Sequence, residues 1–418
     1  MWFGRQYSHE RLLVVKRTAS VALSNSMSSV DQIRRCEILF FEPREVVRFA
    51  LEGLLAGGNG LQRDQHWVAL APHLAEPVTV NAAERELLGS LSPAEWKEYA
   101  LTDPLLRGLV ERGLVITRQC TEANLAEHRQ RDEAIRQSYW HPLNAVMHAF
   151  TRWEGVDAVK NTEDAGVGTA MGMLDVLGPP PHHALAEQEA AIIELPVPER
   201  TALDDLLARR ATCRNFDSAR PLPLAMFTQV LHRTFGAQAM VEVSDELSFE
   251  KRNSPSGGGL HPCHAYLLVQ NVEGIPAGLY RYAGGRNQLV QLAAPAGDLH
   301  AFAMQCVAQQ HWFADAHCLV LTVADFDRTF WKYRRHAKGY RVVALEAGHL
   351  SQMLYLAATE CGAAAFITGA INERSIEQAL GLDSTRQGVL AVSGFGWRAS
   401  SMQTAELDPR QSVWQRVD

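Results

Sequence analysis

Residues 253–266 read Asn-Ser-Pro-Ser-Gly-Gly-Gly-Leu-His-Pro-Cys-His-Ala-Tyr and lead into an apolar run at 267–269, which predicts a buried strand. Pro255 fixes a turn, and Gly257–Gly259 remove three consecutive β-carbons, so backbone N–H groups there can approach a bulky ligand. A hairpin loop needs one glycine or two. A flexible surface loop would explain the composition, whereas a cradle for a flat or phosphorylated cofactor also explains the order of residues.

Composition limits the class of protein. The chain has 418 residues, 47% hydrophobic and 21% charged, which is ordinary for an enzyme of two or three domains. A formal charge of −7 argues against nucleic acid as a partner, and no run of 18 apolar residues predicts a membrane span. We therefore predict a cytoplasmic protein with no nucleic-acid or membrane partner.

The seven cysteines are scattered and never form a Cys-x-x-Cys pair, which predicts reduced, mostly buried thiols. Cys306, His311, His317 and Cys318 are close in sequence and could suggest a metal site. Strand alternation would separate the side chains of His317 and Cys318, so we predict no metal.

The N-terminal part predicts a basic, disordered extension over 1–28 and a winged-helix-like module over 34–118. In that module we predict helices over 43–55, from Asn81, from Ser92 and over 105–115. Winged helices usually bind DNA, but acidic residues outnumber basic ones over 81–112. Binding a peptide, or supporting the fold, is the better interpretation.

The middle of the chain predicts a helical connecting region over 119–177 and a proline-rich linker over 178–198, where we place the main domain boundary. Residues 121–153 read as one long helical segment that ends in aromatic and histidine residues. Such a stripe is typical of core packing, although a place in the active site stays open. A domain over 199–400 and a tail over 401–418 follow.

Arg210-Ala-Thr212-Cys-Arg214 sets two arginines on either side of a hydroxyl. Arginine offers a rigid fork of donors suited to phosphate, and Thr212 would add another donor. A solvated helix end would also explain two arginines.

Residues 328–341 hold six Lys or Arg residues with aromatics between them, in an otherwise acidic chain. A solvated helix face would explain the charges but not the aromatics. Residues 342–358 then predict a buried apolar helix whose polar stripe is Glu346, His349 and Gln352. The stripe needs a ligand, another subunit or an internal network as its partner.

Together these motifs resemble the nitroreductase superfamily, and within it the SagB-type dehydrogenases of peptide natural-product maturation, over about residues 200–400. The Arg-x-Ser-x-Arg signature of that family corresponds to residues 210–214, with Thr in place of Ser. Its Pro-Ser-x-Gly-x-x-His-Pro loop corresponds to residues 255–262. Its Lys-Tyr pair and its Leu-Glu-x-Gly-His-x-x-Gln helix correspond to Lys332-Tyr333 and residues 345–352, and Met353 stands where the family has Asn. The chain is similar to the subgroup of peptide maturation dehydrogenases.

The resemblance implies an α+β fold, in which a nitroreductase-like C-terminal domain of mainly antiparallel sheet is wrapped by helices and preceded by the winged-helix-like region. It implies FMN bound without a covalent link in a homodimer. Lys332 and Tyr333 are then the catalytic candidates, and His261, Tyr340 and His349 are substrate candidates. The candidates for holding FMN are Arg210, Thr212, Arg214, Pro255, Ser256, Gly257, Gly258, Leu260, Gln352, Thr368, Gly369 and Arg398.

The leading functional hypothesis is an FMN-dependent oxidase that converts azolines to azoles in a ribosomally made precursor peptide, with other peptide-maturation enzymes as possible partners. Tyr333 would remove the Cα proton, with Lys332 as its charged neighbour. One alternative is an NAD(P)H-dependent FMN reductase acting on dehydroamino acids or nitro compounds. Another is a flavin-free scaffold that binds the precursor peptide; the presence of Arg210, Arg214, Lys332 and Tyr333 argues against it.

Overall fold

The computed structural model describes residues 31–100, 102–119, 122–181, 193 and 195–414. The predicted extension over 1–28 lies outside these residues, and most of the predicted linker over 178–198 does as well.

The first unit combines short strands with helices. Its elements are β1 (Asp31–Arg35), β2 (Phe40–Phe49), α1 (Leu51–Leu55), β3 (Leu61–Leu70), β4 (Val78–Val80), α2 (Ala82–Ser90), β5 (Lys97–Tyr99), α3 (Pro104–Glu111) and β6 (Val115–Thr117). Strand β1 pairs with β5 and β6, while β2, β3 and β4 form a second antiparallel sheet. Ile33, Leu88 and Leu109 are fully buried in the core between these elements. The winged-helix-like interpretation of 34–118 stays a prediction.

Two helices predicted in this unit are wrong. Residues 43–49 continue β2 and pair with β3, and only Leu51–Leu55 are helical. Pro43 is compatible with a strand here because β2 lies at the edge of its sheet. The Ser92 hydroxyl accepts from the N–H groups of Ala94 and Glu95, which makes a turn before β5 in place of a helix. The helix predicted from Asn81 is confirmed as α2. The helix predicted from 105 is confirmed as α3, which ends at Glu111, and Val115 already belongs to β6.

The connecting region contains α4 (Ala123–Gln137), α5 (Pro142–Phe150), α6 (Ala158–Asp164) and α7 (Ala170–Leu177). The single helix predicted over 121–153 is thus two helices, interrupted before Pro142, which disfavours helical geometry in the preceding residue. Trp140 and His148 are buried with ring centroids 5.3 Å apart, which confirms core packing. Arg152 pairs with Glu377 at 2.5 Å, so this region is fixed to the C-terminal domain.

The C-terminal domain carries the main sheet. Its elements are α8 (Ala202–Arg209), α9 (Leu224–Phe235), β7 (Ala239–Ser244), β8 (Leu247–Lys251), β9 (Cys263–Val269), β10 (Gly278–Ala283), β11 (Gln288–Gln291), α10 (Leu299–Cys306), α11 (His311–Ala314), β12 (Cys318–Asp325), α12 (Phe326–Lys332), α13 (Gly339–Glu360), β13 (Ala364–Thr368), α14 (Glu373–Leu380) and β14 (Gln387–Gly396). Six strands form an antiparallel sheet in the order β11-β10-β9-β12-β14-β13. The predicted α+β fold is confirmed.

Both faces of the main sheet are covered, because alternate residues of its central strands enter different cores. Leu267 of β9 packs in the same core as Leu350 and Leu354 of α13, whereas Leu268 packs with Phe302 of α10. The helix predicted as buried is buried on this one face only. Its opposite face is exposed, and Leu345 there retains 57% of its accessible surface.

Candidate functional site

The glycine loop, residues 253–262, connects β8 to β9 through a tight turn at Gly257–Gly259. The backbone N–H of His261 donates to the Ser256 hydroxyl at 2.9 Å, which closes the loop on itself. The carbonyl oxygen of Pro255 lies 3.3 Å from Nδ1 of His349 on α13. The loop is therefore a closed turn fixed against a helix, as a cradle requires.

Gly258 lies directly against the candidate catalytic pair. Its φ of +71° is in the left-handed region, and a β-carbon added there would lie 3.0 Å from Nζ of Lys332 and 3.2 Å from the hydroxyl oxygen of Tyr333. Nζ of Lys332 is 5.6 Å from the centroid of the Tyr333 ring. The structure thus brings together Gly258, Lys332 and Tyr333, where α12 ends. It also sets Gly257 so close to Val342 of α13 that a β-carbon there would overlap it.

Glu346 connects α13 to the end of the glycine loop. Its side chain is buried, and its Oε1 accepts from the N–H of Cys263 at 3.3 Å. Oε2 is buried and has no hydrogen-bond partner among the described residues. Burial raises the pKa of this carboxyl. The stripe read from the sequence is thus divided, since Glu346 faces the interior while His349 and Gln352 face outward.

His261 is held in the loop with a left-handed φ of +46°, an uncommon conformation for a residue other than glycine. Its Nε2 lies 3.1 Å from the carbonyl oxygen of Glu250. Burial, with Arg252 nearby, lowers the pKa of His261 to about 4, so the ring is neutral at neutral pH. Leu260 beside it is buried, and its carbonyl accepts from Nε of Arg328 at 2.8 Å.

The Arg-Ala-Thr-Cys-Arg motif lies along β13 and α13. The guanidinium of Arg210 stands 5.2 Å from the centroid of the Tyr355 ring, and the Thr212 hydroxyl lies 2.9 Å from the hydroxyl oxygen of Tyr355. His349, at the glycine loop, and Tyr355 are six residues apart on the same helix, a rise of about 9 Å. One helix therefore joins the two motifs that the sequence marked as binding a cofactor.

Arg210 lines a pocket of about 500 Å³ together with Arg200 and Arg410. Neither of these two arginines was predicted from the sequence, and Asp204 and Asp408 lie in the same lining. No local signal identifies Arg410, because it approaches Arg210 only where the chain folds back over 200 residues. Arg200 pairs with Asp205 at 2.7 Å, whereas Arg210 and Arg410 have no ion pair among the described residues and are suited to binding a phosphate.

Arg398 and Arg214 belong to a different contact, the tail anchor, which is centred on the buried carboxylate of Glu406. Glu406 pairs with Arg398 and accepts from the backbone N–H of Arg214 at 2.6 Å. It also accepts from Nδ2 of Asn215 and Nε1 of Trp414, both at 2.8 Å. Arg398 is therefore paired within the tail anchor, and it does not line the pocket of Arg200, Arg210 and Arg410.

The remaining predicted residues lie elsewhere. Thr368 is buried and donates to Oε1 of Gln310 at 2.8 Å, and the adjacent Gly369 is exposed. Tyr340 packs against the Trp140 ring, with its hydroxyl oxygen 3.3 Å from Nδ1 of His148, and burial raises the pKa of Tyr340 to about 12. Tyr340 thus lies in an aromatic core, whereas Gln352 lies on the exposed face of α13.

The thiols and carboxylates form no further centre in the part of the chain that the structure describes. The cysteines described are free and, apart from the half-buried Cys361, buried. No group of three or more His, Cys, Asp or Glu side chains within the described ranges could hold a metal ion. Nor does any helix there combine the length and apolarity that crossing a bilayer requires.

Comparisons with known proteins agree on the C-terminal half. Residues 207–397 match the model of the nitroreductase family. The protein MJ1384 of Methanocaldococcus jannaschii, which is named as a nitroreductase, is 30% identical over 188 residues, covering 45% of this chain and 88% of that protein.

Solved structures are similar at lower identity. One is the Escherichia coli microcin synthetase McbBCD complex with truncated pro-MccB17 bound, at 18% identity and a TM-score of 0.48, covering 64% of this chain and 94% of that one. Another, from Desulfovibrio desulfuricans, is named as a nitroreductase in complex with FMN, at 14% identity and a TM-score of 0.34, covering 52% of this chain and 98% of that one.

Proposed function

Because this chain belongs to the nitroreductase family, we propose that it is an FMN-dependent oxidoreductase that acts on a ribosomally synthesised peptide and oxidises azolines to azoles. Membership of this family supports the assignment of the protein as an oxidoreductase. The observation that supports the finer proposal is the placement of Lys332 and Tyr333 over Gly258, at a site open to solvent.

The residues present fit FMN in two respects. Arg200, Arg210 and Arg410 around one pocket offer the donors that a phosphate needs. The left-handed Gly258 keeps clear the space that a side chain would fill, so a flat ring can approach the backbone of the loop. When bound, FMN would supply the acceptor for the hydride that leaves Cβ of the azoline, and dioxygen would reoxidise it.

The chain itself would supply the base. The Tyr333 oxygen would take the Cα proton of the azoline, and the ammonium group of Lys332 would be the cationic neighbour of this base. The glycine loop, fixed to α13 through Glu346 and His349, would hold these groups in position.

The proposed homodimer is supported by the exposed face of α13. Leu345 is 57% exposed there, and Gly348, His349 and Gln352 are exposed beside it, although the other face of this helix is in the core. A second copy would cover this stripe. A precursor peptide and other peptide-maturation enzymes complete the proposed partners.

Anaerobic stopped-flow absorbance at the flavin band tests the proposal. The FMN-loaded protein is mixed separately with a thiazoline-containing peptide and with NADPH. We expect bleaching by the peptide alone, slowed about 100-fold or more in Tyr333→Phe because the base is lost. Tyr99→Phe removes the same hydroxyl from an exposed position on β5 and is the control.

Each other outcome counts against the proposal. Bleaching by NADPH alone would indicate a reductase that runs in the opposite direction. A purified protein that neither contains nor takes up FMN would indicate a scaffold. Equal rates in the wild type and Tyr333→Phe would remove Tyr333 as the base.

A further inference from the structure

The basic stretch 328–341 is largely unneutralised. Among the described residues, its only ion pair joins Arg335 to Glu37 at 3.8 Å. Lys332, Arg334, Lys338 and Arg341 have no carboxylate within 4.0 Å. In a chain of net charge −7, the cluster pairs with a carboxylate only through Arg335 among the described residues.

Arg334 is held in place by contacts that leave its charge free. Its Nε donates to the carbonyl of Trp331 at 3.2 Å, and its guanidinium stands 4.4 Å from the centroid of the Tyr139 ring. These contacts fix the side chain without neutralising it, and the two terminal nitrogens remain available to an oxyanion.

A groove runs from this cluster along the β7–β8 hairpin. Its inner part, about 330 Å³, is lined by Phe249, Gly258, Trp331, Lys332 and Arg334. Its outer part, about 790 Å³, shares Phe249 and Trp331 and continues between the hairpin and α12. We call the two parts together the hairpin groove, and it leads directly to the candidate catalytic pair.

The walls of the hairpin groove combine large apolar side chains with charged ones. Trp331 is 51% exposed and Met240 also 51%, although both are large apolar side chains. The outer part is also lined by Glu246, Glu250, Asp327 and Arg328, of which Glu250 pairs with Arg252 and Asp327 with Arg386. Lys332 and Arg334 line the inner part. Strands β7 and β8 pair only with each other among the described strands, so an outer edge is free to bond an extended backbone.

Resting on the proposed function, we propose that the hairpin groove binds the substrate peptide in an extended conformation, with an apolar side chain against Phe249 and Trp331 and a carboxylate on Arg334. The carboxylate belongs either to an aspartate or glutamate side chain or to a free C-terminus. The enzyme would then select peptides in which an acidic group closely follows an apolar residue.

Binding of three fluorescein-labelled peptides, followed by fluorescence anisotropy, tests this inference. The peptides are Gly-Leu-Phe-Asp-Gly-amide, Gly-Leu-Phe-Asn-Gly-amide and Gly-Leu-Phe-Gly with a free carboxylate, each labelled at the N-terminus. We expect a carboxylate peptide to bind about tenfold tighter than the Asn peptide, because a charged hydrogen bond to Arg334 is lost with Asn. The comparison of the Asp peptide with the free acid identifies the source of the carboxylate.

Two variants locate the site. Arg334→Gln should bring the carboxylate peptides to the affinity of the Asn peptide and leave the Asn peptide itself unchanged. Arg286→Gln removes an exposed arginine, also without an ion pair, from the turn between β10 and β11, and should keep the preference. Thermal melting of both variants establishes that they are folded.

Equal binding of the three peptides, no binding of any, or a preference that survives Arg334→Gln would overturn the inference. The anisotropy measurement involves neither flavin nor turnover, so its outcome is independent of the flavin-bleaching experiment that tests the proposed function. A carboxylate preference without bleaching by thiazoline peptides would keep the groove and reject the oxidase. Bleaching by thiazoline peptides without a carboxylate preference would keep the oxidase and reject the groove.

Discussion

Gly258 and Gly274 have the same backbone conformation and different surroundings, which separates two effects of adding a side chain. Their φ angles are +71° and +72°, but nothing lies within 4 Å of a β-carbon at Gly274, whereas Lys332 and Tyr333 would meet one at Gly258. We expect alanine at either position to lower the free energy of unfolding by about 1 kcal/mol, because both glycines are left-handed. Only Gly258→Ala should also lower turnover, by displacing the pair.

Urea unfolding and flavin bleaching, measured on both variants, check this prediction. Turnover that is equally affected in Gly258→Ala and Gly274→Ala would mean that the loop does not position Lys332 and Tyr333.

Individual residues were predictable where the motif is local in sequence. Lys332 and Tyr333 are adjacent in the chain, and Gly258 lies in a run of glycines, so the sequence alone marked them. Arg410 and Glu406 were missed because the residues that they approach lie almost 200 positions earlier in the chain. Periodicity and spacing carry no information about such a contact.

Secondary-structure elements were also predictable where the pattern that identifies them is local in sequence. The apolar periodicity of α13 is local, and this helix forms as predicted. Residues 43–49 are strand because they pair with residues 61–67 of β3, a partner that no local pattern identifies. The exposed face of α13 was also missed, since apolar residues alone do not distinguish a core from a surface that awaits a partner.

Helix α14 makes the stability of the protein depend on pH through Glu373. This carboxylate accepts from the backbone N–H of Trp153 at 2.9 Å and so joins α14 to the connecting region. Burial raises the pKa of Glu373 from 4.5 to about 7. Between these values the folded state holds a proton that the unfolded state has lost, so the contribution of Glu373 to stability is greatest below pH 4.5 and is lost as the pH rises towards 7.

Thermal melting at several pH values should therefore show a steeper fall of Tm between about pH 5 and about 7 in the wild type than in Glu373→Gln. Arg152 and Glu377 are present in both proteins, so the difference between the curves isolates Glu373. Glu273→Gln, at an exposed carboxylate outside any ion pair, should follow the wild type. Parallel curves for wild type and Glu373→Gln would contradict the prediction.

At the scale of the whole molecule, the exposed stripe of α13 predicts a homodimer. A single charged substitution in this stripe should separate the two copies. Leu345→Glu places a carboxylate where the second copy would bury an apolar side chain, so we expect a monomer with an unchanged fold. Light scattering after size-exclusion chromatography measures the mass, and circular dichroism the fold. Leu143→Glu on α5, at a residue 59% exposed, is the matched control and should stay dimeric. A dimeric Leu345→Glu protein would place the interface elsewhere.

The tail anchor sets an order of events during biosynthesis. The hydrogen bond from Arg214 to Glu406 spans 192 residues, so the ribosome completes Glu406 about 10 to 40 s after Arg214 at ordinary rates of synthesis. During that interval the arginine motif exists without the segment that carries Arg410. If this pocket binds a phosphate as we propose, it would do so only after residues 403–414 have been synthesised. A change that disturbs residues 403–414 would then give a folded sheet with an incomplete pocket.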